Sequence, residues 1–140
     1  MARVDDLKKI FVPKLKTQKL NPEDLPECLE LMVLVGNSSD EFHEDFGDFT
    51  KTYQFAVTDK PEAQWMWLKV ESGKFSKGLG KTPKPDLTFT MNAKLSADMI
   101  SGAVDSNSAF MKGDLKITGQ IKDGVKFQKI MALFNDVLDV

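Results

Sequence analysis

The chain has very few of the residues that carry most enzyme chemistry. Its 140 residues include one cysteine and one histidine. A lone cysteine excludes an internal disulfide, and Cys28 lies in an apolar run, where cysteine usually behaves as a small core residue. His43 stands among acidic residues, which is more typical of a solvated helix than of a metal site or a catalytic triad. We therefore expect no catalytic residue, no metal and no cofactor.

Long apolar runs and a strong charge of either sign are also missing. No run approaches the roughly 18 apolar residues of a membrane span, and the first residues lack the apolar core of a secretory signal. The formal net charge is −2, which argues against a nucleic-acid binder. Together with the unpaired cysteine, this composition predicts a soluble, globular, cytoplasmic protein. The sequence gives no indication of its oligomeric state.

Charge is nevertheless unevenly distributed along the chain. Residues 37–50 carry five carboxylates and no lysine, whereas residues 69–84 carry five lysines against Glu71 alone. Two solvated faces are the ordinary interpretation of such segregation. The alternative is that the lysines meet an anionic headgroup in a transient contact with a membrane surface.

Apolar periodicity divides the chain into helices and strands. The first 20 residues suit a short amphipathic helix that Pro13 should break or bend, and we treat 1–20 as an accessory segment. A helix is expected to start at Asn21 and to stop at Gly36, and another to be capped by Ser39. Period-two patterns predict strands near 50–57, 64–71, 74–79 and 86–91, with a tight turn at 72–73. The spacing predicts a final helix over 127–138, so residues 21–140 form one α+β domain with helices on one face of its sheet.

Residues 86–119 are the most informative stretch. The strand DLTFTM is followed by a helical stripe that Gly102 should end, a small-residue loop, the apolar pair Phe110 and Met111, and a strand ending at Gly119. No catalytic group lies in this segment. Apolar surfaces without reactive chemistry are typical of an ordinary core and also of a cavity for an apolar ligand.

The segment ISGAVDSNSAFMKGDLKITGQ, the DLTFTM strand and VKFQKI at the last helix resemble the sterol carrier protein type 2 family. The resemblance spans about residues 50–138. It implies a five-stranded mixed sheet with helices packed on it, enclosing a hydrophobic tunnel for fatty acids, acyl-coenzyme A or sterols. Asp123 departs from the family, which usually has an apolar residue there, and this departure implies a more polar tunnel mouth.

The same resemblance implies a set of apolar side chains around the tunnel. By position these ligand-binding residues are Met66, Leu68, Leu87, Phe89, Met99, Ile100, Phe110, Met111, Ile117, Phe127, Ile130, Met131 and Phe134. The family usually has a tryptophan at the position of Met66. Here Trp65 and Trp67 flank Met66 instead, and the alternation along a strand predicts that they face away from it.

We expect a carrier that reversibly binds one long apolar ligand, a fatty acid, fatty acyl-coenzyme A or sterol-like lipid, without turning it over. One alternative is an accessory protein that presents an isoprenoid or quinone-like lipid to partner enzymes, with Trp65 and Trp67 in the docking patch. The other is a thioesterase, for which the sequence offers no nucleophile and base pair.

Overall fold

The structure, a computed structural model describing residues 2–140, combines a five-stranded mixed sheet with six α-helices. The helices are α1 (Arg3–Lys16), α2 (Leu25–Ser38), α3 (Asp40–Phe46), α4 (Ala93–Ser101), α5 (Ser106–Lys112) and α6 (Ile121–Leu138). The strands are β1 (Lys51–Val57), β2 (Met66–Glu71), β3 (Lys74–Leu79), β4 (Leu87–Met91) and β5 (Lys116–Gly119). Their order is β3-β2-β1-β4-β5, in which β1 and β4 are parallel and the other neighbours antiparallel. This confirms the predicted α+β class.

One face of the sheet, here called the inner face, is apolar because alternate residues of each strand point the same way. The register places Met66 and Phe89 on either side of Phe55, so that the three side chains form one row across the sheet. The inner face comprises Tyr53, Phe55, Val57, Met66, Leu68, Val70, Phe75, Leu87, Phe89 and Met91, all buried. The opposite face carries more polar residues such as Thr88 and Thr90, as the alternation predicted.

Helix α2 packs closely on β3 and extends beyond Gly36, so the prediction that Gly36 ends the helix was wrong. The helix continues to Ser38. A Cβ on Gly36 would lie 2.7 Å from Phe75 Cδ1, so the missing side chain lets the helix approach the strand. Asn37 then ties the two elements together, because its Nδ2 donates to the Phe75 carbonyl at 2.9 Å and its Oδ1 accepts from Phe75 N at 2.7 Å.

Helix α1 runs through Pro13, so of the two expected effects of this proline, a break or a bend, the break is wrong. Pro13 is exposed, and the Lys9 carbonyl that loses its helical partner also lies on an exposed turn, where water can satisfy it. The opposite side of α1 buries Leu7, Phe11 and Leu15 in the same core as the rest of the chain. The division of the chain at residue 20 stays a prediction, and α1 shares its core with the rest of the protein.

The segment after β4 begins as predicted and then differs. Gly102 ends α4 in the left-handed region at φ 82°, which glycine adopts without strain. The expected small-residue loop contains instead the short helix α5, whose first turn is capped by Asp105 through a bond from Ser108 N. Serine and asparagine dominate that first turn. Their helix propensity is low, so the sequence was not predicted to be helical there. None of the helices in residues 2–140 is long and apolar enough to cross a bilayer.

Candidate functional site

A small apolar cavity lies between α2, α4 and one end of the inner face. Helix α2 contributes four lining residues, the sheet contributes Phe55 and Met66, and α4 contributes Ser96 and Ile100. The lining residues of α2 are Leu25, Cys28, Leu29 and Met32. They recur at helical spacing, so one face of α2 covers the site. The arrangement is suited to binding apolar groups and presents no pair of nucleophile and base.

The cavity has a volume of about 20 Å³. Such a volume holds roughly one water-sized group, whereas pockets for small organic ligands measure about 300–1,000 Å³. A long lipid chain therefore enters only if the lining side chains and the helices that carry them move apart.

An aromatic cluster extends the site beneath α6. The Phe127 ring lies 5.0 Å from Phe89, 5.1 Å from Tyr53 and 5.6 Å from Phe55, measured between ring centroids. Phe55 also stacks on Phe89 at 5.6 Å. Because Phe55 lines the cavity as well, the cavity and the cluster form one continuous apolar region.

The ligand-binding residues inferred from the resemblance fall into four groups in the structure. Met66 and Ile100 line the cavity. Six others are buried in the core around it, namely Leu68, Leu87, Phe89, Phe127, Ile130 and Phe134, and three pack against that core while partly exposed, namely Met99, Ile117 and Met131. The remaining two, Phe110 and Met111, lie on α5 with 49% and 86% of their surface exposed. The structure thus brings eleven of the thirteen to one apolar region and leaves the α5 pair outside it.

The contribution of α2 to the cavity was missed by the sequence reasoning. A helix from Asn21 to Gly36 was predicted, but none of its residues was placed in the ligand-binding set. Half of the cavity lining comes from α2. The available signal was the helical spacing of Leu25, Cys28, Leu29 and Met32, since a helix with an apolar face must cover part of the sheet.

Cys28 is part of this lining and is chemically inert there. Burial in apolar surroundings, with a smaller contribution from the negative charge of Asp24, raises the pKa of the Cys28 thiol to about 12. The thiol is therefore protonated at neutral pH and is a poor nucleophile.

Polar contacts fix the start of α6 at the other end of the inner face. Asp123 is buried, and its Oδ1 lies 3.4 Å from Lys51 Nζ. The Tyr53 hydroxyl donates to the Asp123 carbonyl at 2.9 Å. Burial raises the pKa of Tyr53, and the nearby carboxylates of Asp123 and Asp86 add to the effect. The charge of Asp123 is thus neutralised by Lys51 at this end of the apolar region.

Trp67 lies on the opposite face of β2 from Met66, as the alternation predicted, whereas Trp65 precedes the strand. Trp67 covers Gly78 on the neighbouring strand, and its ring fills the space that a Cβ on Gly78 would need. Trp65 Nε1 donates to the Val57 carbonyl at 2.9 Å. Both rings are half-buried.

His43 lies away from the apolar region, on the exposed side of α3. Its Nε2 is 2.9 Å from the Asn37 carbonyl oxygen. Within residues 2–140 no three side chains of histidine, cysteine, aspartate or glutamate gather closely enough to hold a metal ion.

The sequence and the fold are similar to those of several known proteins. The chain is 27% identical over 129 residues to hydroxysteroid dehydrogenase-like protein 2 of Bos taurus, covering 91% of this chain and 31% of that protein. The solution structure of palmitated SCP2L2 from Aedes aegypti is similar with a TM-score of 0.53 and 16% identity, covering 74% of this chain and 89% of that one. The ubiquinone synthesis protein UbiJ-SCP2 is similar with a TM-score of 0.59 and 13% identity, covering 75% and 90%.

The chain spans about a third or less of the curated relatives it matches. The two structural likenesses show the fold alone at these identities. Residues 35–132 match the SCP-2 sterol transfer family, so the match includes the sheet, α3 to α5 and most of α6, but excludes the four cavity residues of α2. The chain belongs to the SCP-2 sterol transfer family.

Proposed function

We propose that this protein is a carrier that binds one long-chain fatty acid or fatty acyl-coenzyme A between α2, α4, α6 and the inner face, and releases it unchanged. Family membership supports lipid binding in general. The observation that carries the finer proposal is the continuity of the cavity with the aromatic cluster through Phe55, because an unbranched chain needs a long, narrow, apolar path. The palmitated state of the Aedes relative is consistent with such a ligand.

Binding is driven by the removal of the lipid chain from water, at about 25 cal/mol per Å² of apolar surface. The free energy needed to separate α2 and α4 from the sheet reduces this gain. The bound lipid contacts the lining side chains, and these contacts replace the ones that are lost when the helices move away from the sheet. The apparent affinity therefore depends on the ease of opening as well as on the area of the ligand.

We expect the delipidated protein to bind oleate or palmitoyl-coenzyme A with a stoichiometry near one and with a negative heat-capacity change, because apolar surface is buried on binding. Isothermal titration calorimetry at several temperatures measures both quantities. Native mass spectrometry of the protein as purified identifies a retained lipid by its mass. Absence of binding across fatty acyl, sterol and isoprenoid ligands would contradict the carrier proposal.

A second candidate is the presentation of an isoprenoid or quinone-like lipid to partner enzymes. The likeness to UbiJ-SCP2, described as a ubiquinone synthesis protein, favours it. Competition decides between the two: displacement of bound oleate by a long-chain isoprenoid at much lower concentration would favour the second candidate. A thioesterase activity has no such support, and an unchanged pool of palmitoyl-coenzyme A after incubation with the protein is the expected result.

For the site of action we propose the cytoplasm. The thiol of Cys28 is buried and unpaired, which suits a reducing compartment. A transient contact with membranes would provide the route by which the carrier collects and delivers its lipid.

A further inference from the structure

An apolar surface on α5 and α6 lies outside the core. Phe110 and Met111 of α5 are 49% and 86% exposed, and Ile121 and Val125 of α6 are 78% and 45% exposed. These four residues account for most of the large hydrophobic side chains exposed between residues 2 and 140. We call them, with the lysines described next, the α5–α6 surface.

Exposed lysines alternate with these apolar side chains along the same segment of the chain. Lys112, Lys116, Lys122, Lys126 and Lys129 are all exposed, and none forms an ion pair with any described residue. Residues 110–129 contain these five lysines against two aspartates, a surplus of three positive charges in a chain whose net charge is −2. One of the two aspartates, Asp123, is buried and paired with Lys51. The surface is therefore basic although the protein as a whole is slightly acidic.

Polar contacts join α5 to α6 near these apolar side chains. Ile121 and Val125 are four residues apart and share one face of α6. Helix α5 lies beside α6, because Gln128 Nε2 donates to Ser106 Oγ at 3.3 Å and to Asn107 Oδ1 at 3.4 Å. Val125 and Phe110 each lie about one helical turn from this contact, or about 4 to 6 Å along their helix axes.

We propose that the α5–α6 surface docks on anionic lipid bilayers, with the apolar side chains entering the interface and the lysines meeting the headgroups. Weak reversible attachment to a bilayer commonly needs both an apolar and a polybasic contribution, and this surface supplies both. Its positive charge complements an anionic leaflet, whereas the remaining chain is acidic. The proposal deepens the carrier function proposed above by naming the surface through which lipid is exchanged.

The lysines of residues 69–84 provide the natural comparison. They lie near β3, at the opposite edge of the sheet from β5. Lys69 is 3.9 Å from Glu71, and Leu79, 61% exposed, is the only exposed large hydrophobic residue among them. That surface attracts anions but has few apolar side chains that could insert into a bilayer. We therefore assign bilayer docking to α5 and α6 instead.

Two triple variants of equal charge test the proposal. Lys122→Glu with Lys126→Glu and Lys129→Glu changes the α5–α6 surface, and Lys74→Glu with Lys81→Glu and Lys84→Glu changes the β3 side by the same charge. Flotation with phosphatidylcholine vesicles, with and without phosphatidylserine, measures binding of each variant. We expect the first variant to bind phosphatidylserine vesicles at least about tenfold more weakly than the second, because each lysine near an anionic surface contributes to attachment. Ile121→Ser with Val125→Ser should also weaken binding, and its control, Ile10→Ser with Leu79→Ser, should not.

Calorimetric binding of oleate is measured on the same variants, so that failure of docking and failure of the carrier function are distinguished. We expect unchanged oleate binding in all four, since the substituted side chains are exposed and lie outside the cavity. Equal vesicle binding by the two lysine variants, or no preference of the unmodified protein for phosphatidylserine, would overturn the proposal. Binding of the unmodified protein to polyglutamate but not to vesicles would overturn it as well, and would assign the surface to an acidic protein.

Discussion

Phe127→Ala is expected to lower the free energy of unfolding by about 3 to 5 kcal/mol, the usual cost of removing a buried phenylalanine. The Phe127 ring is buried on α6 and lies within 5.6 Å of the rings of Tyr53, Phe55 and Phe89. Its removal deletes those contacts and leaves a void that the sheet cannot close, because the strands are fixed by their ladders. Urea unfolding of the delipidated protein measures the loss.

Phe110→Ala is the matched control on α5. Its ring is 49% exposed, so the substitution should cost less than about 1 kcal/mol. A loss for Phe127→Ala as small as that for Phe110→Ala would contradict the packed interior. It would show instead that the Phe127 ring borders open space in the ligand-free protein.

Ile100→Glu is expected to weaken oleate binding at least about a hundredfold, or about 2.7 kcal/mol, because a carboxylate at the cavity is either buried without a partner or opposes insertion of the chain. Ile100 lines the cavity from α4 and is only half-buried, so the folded state can accommodate the charge at its rim. Calorimetry on the variant, with circular dichroism to verify the fold, measures the effect.

Ile10→Glu places the same substitution on an exposed position of α1. It should leave oleate binding unchanged. If both variants bind oleate as the unmodified protein does, the lipid does not pass Ile100, and the cavity between α2 and α4 is not its site.

The strands of this fold were predictable from sequence because their signals are local. Alternating apolar residues such as Leu87, Phe89 and Met91 need no partner to be recognised. The turn at Ser72 and Gly73 was predicted in the same way, and both residues have positive φ, at 47° and 81°, as the tight hairpin requires. The overall α+β class followed from these elements and from the resemblance.

Features that depend on a neighbouring element were not predictable. A glycine such as Gly36 can stand inside a helix or at its end, and the sequence does not distinguish the two. The Phe75 ring packed against Gly36 explains why a glycine lies inside α2. Pro13 is tolerated because of which side of α1 faces solvent. The covering of the cavity by α2 depends on how the helix docks, and the family match, which begins at residue 35, gives no information on residues 25–32.

The position of the bound lipid is the central claim, and methionine methyl NMR tests it most directly. Met32 and Met66 line the cavity, whereas Met111 is 86% exposed on α5. Protein labelled with ¹³C at the methionine methyl groups is titrated with unlabelled oleate, and nuclear Overhauser effects from the acyl chain are recorded. Effects to the methyl groups of Met32 and Met66, and none to that of Met111, are the predicted result. Effects confined to Met111 would contradict an internal site and place the lipid on the surface of α5.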